Sequence, residues 1–254
     1  RWRRPWRGEM VLNVTCSPSA RTAAVKGHPV TDAFQTGRFL ARQGSGTGET
    51  VGMAEADEAL AAIGVLPDAE IEPAMAALQL ARLDAPGAEW NDASAHLSEL
   101  ARDAAAIGAV MGGRTAEARI GALAGLLHAR YGYRGDSETY DDLANANLIR
   151  VIERRRGLPV ALGILWLHCV RAAGWDAHGV DFPGHFLLSV QSGTRPGMRM
   201  RQPRSTLVDP FAQGVTLGNA RLLSMLDATG NSAATIGPGL TRPMSTRAVL
   251  LRLQ

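Results

Sequence analysis

After Gly157-Leu158-Pro159 the chain runs Val160-Ala161-Leu162-Gly163-Ile164-Leu165-Trp166-Leu167-His168-Cys169-Val170, apolar nearly all the way round any helix drawn through it. Such a helix has no face to give to water, so the rest of the chain must wrap it. Pro159 suits the first turn, where its missing N–H would have lacked a partner anyway. Ala173-Gly174 ends the helix. The run is too short for a bilayer, and nowhere does the chain approach the ~18 unbroken apolar residues of a membrane span.

The wrapping elements are legible on both sides. Upstream, Glu72-Pro73 opens a helix with Met75, Leu78, Leu80 and Leu83 on one face, and Pro86-Gly87 closes it. Asp92 or Ser94 can cap a second helix through Leu97, Leu100, Ala104, Ile107 and Val110, stopped at Gly112-Gly113. Thr115 caps a third through Ile120, Leu123, Leu126 and Leu127. Tyr131 to Asp142 has no period and reads as an acidic, aromatic loop, after which Asn147 to Arg155 resumes helical spacing. Downstream the period changes: Ala177–Val180, His185–Val190 and Thr206–Asp209 read as strands, with a Gly/Pro/Arg-rich loop at 192–204. No helical crossover separates these strands. The expected class is therefore α+β, with N-terminal Ala-rich helices and a buried helix packed on a small antiparallel sheet. A last helix is expected between Thr241 and Gln254, started by Ser245 or Thr246 and continuing past the end of the given chain.

Charge divides the chain. The whole carries +3 over 254 residues, but residues 1–52 hold eight basic and three acidic side chains, a net of +5, which leaves −2 for the body. The basic segment mixes Gly, Ser, Thr and Pro without period and is expected to be disordered. It offers three other readings. Met10 to Cys16 is too short and polar for a secretory h-region. Trp2 and Trp6 among arginines could stack on bases as a nucleic-acid arm. The segment is also readable as a mis-assigned start, because Met53 opens directly onto a helix-like run. The body gives no electrostatic case for nucleic acid. Two cysteines, Cys16 and Cys169, make no disulfide framework and fit a reducing compartment. The expected organisation is a tail at 1–52, a helical region at 53–130 and a core at 131–254.

Three features of the second half could carry chemistry. His185 enters a strand behind Pro183-Gly184, Asp209 ends a neighbouring strand in Val208-Asp209-Pro210-Phe211, and the buried helix begins at Gly157-Leu158-Pro159. A histidine and an aspartate on adjacent strands, facing the start of a buried helix, is the layout of a papain-like or transglutaminase-like site. There the helix N-terminus depresses a cysteine pKa, the histidine is general base and the carboxylate orients the imidazole. With Tyr140-Asp141-Asp142, the run Asn147 through Leu162, Phe182-Pro183-Gly184-His185-Phe186-Leu187 and Val208-Asp209-Pro210-Phe211 in order, the chain resembles the SirB1 family from about Met75 onward. The resemblance implies a transglutaminase-like core in a bacterial protein; members of that family continue into a helical-repeat tail, which this chain lacks.

Active transglutaminase-like enzymes place a cysteine at the start of the buried helix, two residues after a glycine. Here Gly157 is followed by Leu158 and Pro159, and proline has no nucleophile. Cys169 lies ten residues along, about 15 Å down the axis and outside the field of the helix terminus; it reads as a buried apolar cysteine. Ser189 and Thr206 would need a base placed for them. The expected protein is a non-catalytic regulatory or interaction protein of the cytoplasm, with a protein partner and no cofactor, metal, membrane or nucleic acid. In it His185 and Asp209 are the remnant of a dyad, tying two strands together or lining a shallow binding pocket. His168, His178, His185 and Asp209 have no tight metal-ligand spacing. Two other classes stay open: a hydrolase or acyl-transfer enzyme using the His185–Asp209 pair on a bound water, and a scaffold binding its partner through the Ala-rich helices. The Arg154–Arg156 run is expected as a solvated face, with Glu153 and Asp141-Asp142 as nearby partners.

Overall fold

The computed structural model describes residues 48–86, 88–191, 205–230 and 239–254. Most of the basic tail, Cys16 and the loop at 192–204 lie outside these. In chain order the helices are α1 (Gly48–Gly64), α2 (Pro73–Asp84), α3 (Trp90–Met111), α4 (Ala116–Ala124), α5 (Leu148–Arg154), α6 (Pro159–Ala172), α7 (Asn219–Ala228) and α8 (Thr246–Leu253). The strands are β1 (Arg134–Gly135), β2 (Arg156–Gly157), β3 (Ala177–Phe182), β4 (His185–Gln191), β5 (Ser205–Asp209) and β6 (Val215–Leu217). The class is mixed α and β, as the strand and helix periods predict.

Side-chain capping sets four of the eight described helix starts. The Glu72 carboxylate accepts from Met75 N–H at 2.6 Å ahead of Pro73, and Thr115 Oγ1 accepts from Ala118 N–H at 3.3 Å. Asn147 Oδ1 accepts from Arg150 N–H at 3.2 Å, and Ser245 Oγ accepts from Ala248 N–H at 3.0 Å. Each satisfies an otherwise orphaned first-turn donor. Two starts differ from the sequence expectation. α3 begins at Trp90, so Asp92 sits inside its first turn rather than capping it; the Arg82 guanidinium lies 4.1 Å from the Trp90 ring and draws that residue into the fold. α1 begins at Gly48, so the last five residues of the stretch expected to be disordered are helical.

α6 is wrapped as its composition demands. Val160 to Leu167, with Cys169 and Val170, are all buried. α2, α3 and α8 pack against it on the helical side, and β3 and β4 on the other. His168, the one polar side chain well inside its run, is fully engaged: one ring nitrogen meets Glu72 Oε1 at 3.1 Å and the other the Leu97 carbonyl at 2.9 Å. Burial pushes the His168 pKa down, but the Glu72 hydrogen bond and charge outweigh it and hold it above the ordinary value. Burial likewise raises Glu72, and the same partner holds it below. The charged pair joins α2, α3 and α6.

The four-stranded antiparallel sheet runs in the order β3-β4-β5-β6, a plain meander. Its two faces are covered by different helices. Phe186, Leu188, Val190 and Val208 join the main core with α6. Val180, Phe182 and Leu187 form a second cluster with Leu222, Met225 and Leu226 of α7. The α6 contact is close. A Cβ on Gly163 would overlap the ring of Phe186, so only glycine at this helical position lets strand and helix approach.

Gly163→Ala should therefore destabilise the protein by about 1–3 kcal/mol, the usual cost of overpacking, although alanine is the better helix former by ~1 kcal/mol. Adding Phe186→Leu should recover part of the loss. Urea unfolding of the single and double variants measures both; a Gly163→Ala protein at least as stable as the parent contradicts this packing.

Candidate functional site at the start of the buried helix

The start of α6 is held by backbone on two sides. Leu158, the N-cap residue, donates its N–H to the Asn145 carbonyl at 3.0 Å. The Gly157 carbonyl accepts from Asp136 N–H at 3.3 Å, and β1 pairs in parallel with β2 there. A Cβ on Gly157 would lie 2.8 Å from a Val151 methyl, so this strand too approaches its neighbour only as glycine. No side chain caps α6. Its first position is Pro159, half-buried, which brings no hydrogen-bonding side chain and no N–H. Cys169 is fully buried among core residues, and that burial, reinforced by the Glu72 and Asp103 charges, pushes its thiol up to about 12.

His185 and Asp209 lie at the same end of the sheet, on adjacent strands. Pro183 and Gly184, the latter at φ +74°, make the two-residue turn that pairs Phe182 with His185. The β4–β5 ladder ends at the Leu188–Val208 pair, before either residue is reached. Asp209 Oδ1 accepts from Phe211 N–H at 2.9 Å and Ala212 N–H at 3.1 Å, closing the turn after β5. That turn lays Phe211 on Gly135, where a Cβ would stand 2.5 Å from the ring, and 6.0 Å from the Tyr140 ring. Among the described residues no hydrogen bond or ion pair joins His185 to Asp209.

The imidazole faces the second helix rather than the first. Side chains alternate along a strand, and Phe186, Leu188 and Val190 point to α6. His185 therefore shares its face with Leu187, on the α7 side, its ring 6.4 Å from that of Phe182. The sequence layout of a histidine facing the α6 start is not the one the strand adopts. The reason is that Phe186, seated over Gly163, takes the α6-facing position.

The arginine run meets its expectation in part: Arg154 and Arg156 stay partly exposed and Asp142 is a partner, but Glu153 is not. Arg155 ends α5 at φ 56°, in the left-handed region, and this change of direction sends three consecutive guanidiniums to separate internal partners. Arg154 pairs with Asp136 at 2.9 Å and with Asp142 at 3.5 Å. Arg155 donates to the Tyr133 hydroxyl at 2.5 Å and meets His96, lying over the Tyr133 ring. Arg156 pairs with Glu138 at 2.9 Å. Glu153 instead takes Arg150, at 2.9 Å. Asp136 is the hub: it accepts from Thr139 N–H, the Thr139 hydroxyl and Glu138 N–H as well as Arg154. Those bonds, the Thr139 N–H foremost, hold its carboxyl at about 2. The acidic loop and the basic run are each visible in the sequence, which makes Asp142 an expected partner of the run but not Asp136 or Glu138. Among the described residues no group of three or more histidine, cysteine or carboxylate side chains is arranged to hold a metal ion.

This combination of an apolar helix backed by an antiparallel sheet, with the Gly-Leu-Pro, Pro-Gly-His-Phe and Asp-Pro-Phe segments brought toward one end, has a recognisable class. The profile of the transglutaminase-like superfamily matches residues 91–254, well over half of the chain, and the chain belongs to that superfamily. Within it, the sequence is similar to a Vibrio cholerae protein named UPF0162 protein, 42% identical over 84 residues, which are 33% of this chain and 31% of the relative. A Xylella fastidiosa UPF0162 protein is 39% identical over 64 residues, 25% and 23% of the two chains. F-box only protein 21 of Mus musculus is 30% identical over 92 residues, 36% of this chain and 14% of its own. The matched stretch thus spans less than a third of each relative. No solved structure matches. No helix among the described residues is long and apolar enough to cross a membrane.

The Asp136 hub sets a pH dependence. Its folded pKa lies below the ordinary 3.8, so its contribution to stability is present above that value and lost as pH falls toward 2. Asp136→Asn should lower stability by a constant amount above about pH 5, and the gap from the parent should narrow as pH drops through 4. Chemical unfolding at a series of pH values reads this; a gap that widens on acidification contradicts it.

Proposed function

We propose that the chain is a SirB1-type, non-catalytic transglutaminase-like protein that acts in the bacterial cytoplasm by binding a protein partner, without cofactor or metal. The observation that carries this reading is the α6 start. The position at which an active relative would present its nucleophile holds Pro159, and His185 stands on the α7 side of the sheet. Two further features support it. Asp209 spends one carboxylate oxygen on its own turn, a structural use. Cys169 is sealed in the core with its thiol raised to about 12, so at neutral pH it carries almost no thiolate. A domain that keeps the frame of an acyl-transfer site without its reacting group retains shape and surface, which serve recognition.

The test is chemical labelling of the full chain with an electrophilic glutamine-peptide probe, mapped by peptide mass spectrometry. No stoichiometric adduct is expected on residues 157–160, His185 or Cys169. A stoichiometric adduct on any of them, or amide or ester turnover abolished by His185→Ala in a folded variant, would overturn the reading and restore the enzyme in its place.

A further inference from the structure

His128 lies in a wide helical turn, Gly125–Arg130, that continues α4. The turn is π-helical at its end, where Tyr131 N–H reaches back five residues to the Leu126 carbonyl at 3.1 Å. The imidazole spans two other parts of the fold. Its Nδ1 is 2.6 Å from the Tyr133 carbonyl, and its Nε2 is 3.2 Å from the indole nitrogen of Trp166 in α6. A carbonyl only accepts and an indole N–H only donates. The ring proton must therefore sit on Nδ1, leaving Nε2 bare to accept. A second proton, on Nε2, would set one N–H against another and break the bond to Trp166.

The Trp166 end matters because of what rests on it. The side chain is 1% exposed, and a Cβ on Gly214 would stand 2.5 Å from its ring. Gln213 and Gly214 turn through φ 55° and 78°, and Gly214 N–H donates to the Asp209 carbonyl at 2.9 Å. The indole is thus the floor of the same turn that Asp209 closes and that lays Phe211 on Gly135 of β1. The charged groups around His128 are engaged elsewhere. On its own turn Arg130 pairs with Asp103 of α3 at 3.0 Å, and Asp103 also receives the Tyr131 hydroxyl at 2.6 Å. The Tyr133 hydroxyl takes Arg155 at 2.5 Å. On α6, His168 is held by Glu72 and the Leu97 carbonyl, and Cys169 is sealed in the core. Among the described residues none of these makes a hydrogen bond or ion pair with His128. Burial pushes the His128 pKa below its ordinary 6.5, and the Tyr133 carbonyl offsets only part of that.

From the donor-only and acceptor-only partners of this ring we infer that His128 is a proton-operated latch on the 209–214 turn. Neutral, it ties α6 to the end of α4 through Trp166. Protonated, it keeps the Tyr133 carbonyl and releases the indole, and the turn over the indole loosens. Through Phe211 and β1 that turn reaches the start of α6, so the latch makes this end of the domain acid-sensitive. It does so whether or not the α6 start is catalytic.

The experiment is an NMR pH titration of the labelled full chain from about pH 8 to about 5, across the histidine range. At the upper end the His128 ring nitrogens should show the tautomer with its proton on Nδ1. On acidification the Trp166 indole N–H signal should move with the same midpoint as His128, below 6.5. Exchange of the Gly214 amide, relative to its intrinsic rate, should quicken by about threefold or more over that step. In His128→Gln the side-chain amide can still donate to Tyr133 and accept from Trp166 but takes up no proton, so both responses should vanish. Because the neutral form fits the fold, the latch stabilises the parent above 6.5 and loses that contribution as pH falls. In urea unfolding His128→Gln should therefore gain on the parent as pH drops through 6.5. The tautomer and the indole signal are read on the parent itself, so they decide the matter even if the variant fails to fold. The inference is overturned if the neutral ring carries its proton on Nε2, if the Trp166 indole stays still while His128 titrates, or if His128→Gln keeps the Gly214 response.

Discussion

Everything in this fold answers to the burial of α6. A helix without a polar face needs partners on all sides, each large side chain removed from water contributing roughly 1.5–3 kcal/mol. The chain supplies α2, α3 and α8 on one side and the sheet on the other. The sheet can come close because residue 163 is glycine and Phe186 fills the space a side chain would have taken. That single contact fixes which way β4 faces. With Phe186 turned to α6, Leu188 and Val190 follow, while His185, Leu187 and Ser189 go to α7. The packing of the core thus decides the orientation of the residue on which any acyl-transfer chemistry would depend.

The surroundings of the α6 start are built from the same parts that a reactive site would use, turned to structural ends. Asp209 folds its turn and lays Phe211 over Gly135. The acidic loop after Tyr131 is tied to α5 through Asp136 and Arg154, and Arg156 holds Glu138. These ties keep β1 beside β2 and so keep Leu158 against Asn145. On the proposed reading, this rigid frame is what a partner recognises.

Much of this was written plainly in the sequence, and what was not has identifiable causes. Glu72-Pro73, Thr115, Asn147 and Ser245 announce their helices because capping is local: the residue that starts the helix also satisfies it. The strands at 177–182, 185–191 and 205–209 show themselves by composition and turn residues. The face of β4 could not be read. His-Phe-Leu-Leu-Ser-Val is apolar on both sides, so period two says that His185 and Phe186 diverge but not which one meets the helix. The arginine run misleads for a similar reason: spacing assumes that the helix continues, and Arg155 leaves it in the left-handed region. β1 and β2, two residues each, are too short for any period. The ladder register that sets His178 beside Ser189 is a long-range fact no local pattern encodes.

The central claim is that the imidazole of His185 lies on the opposite face of the sheet from α6. The most direct measurement installs a thiol at the helix start, Pro159→Cys, and follows its alkylation rate against pH by mass spectrometry at that residue, with His185 present and with His185→Ala. The account predicts the same profile in both, a thiol tuned by the helix terminus alone. A rate at mildly acidic pH that falls by about tenfold or more when His185 is removed would reveal a thiolate–imidazolium pair, and would contradict it.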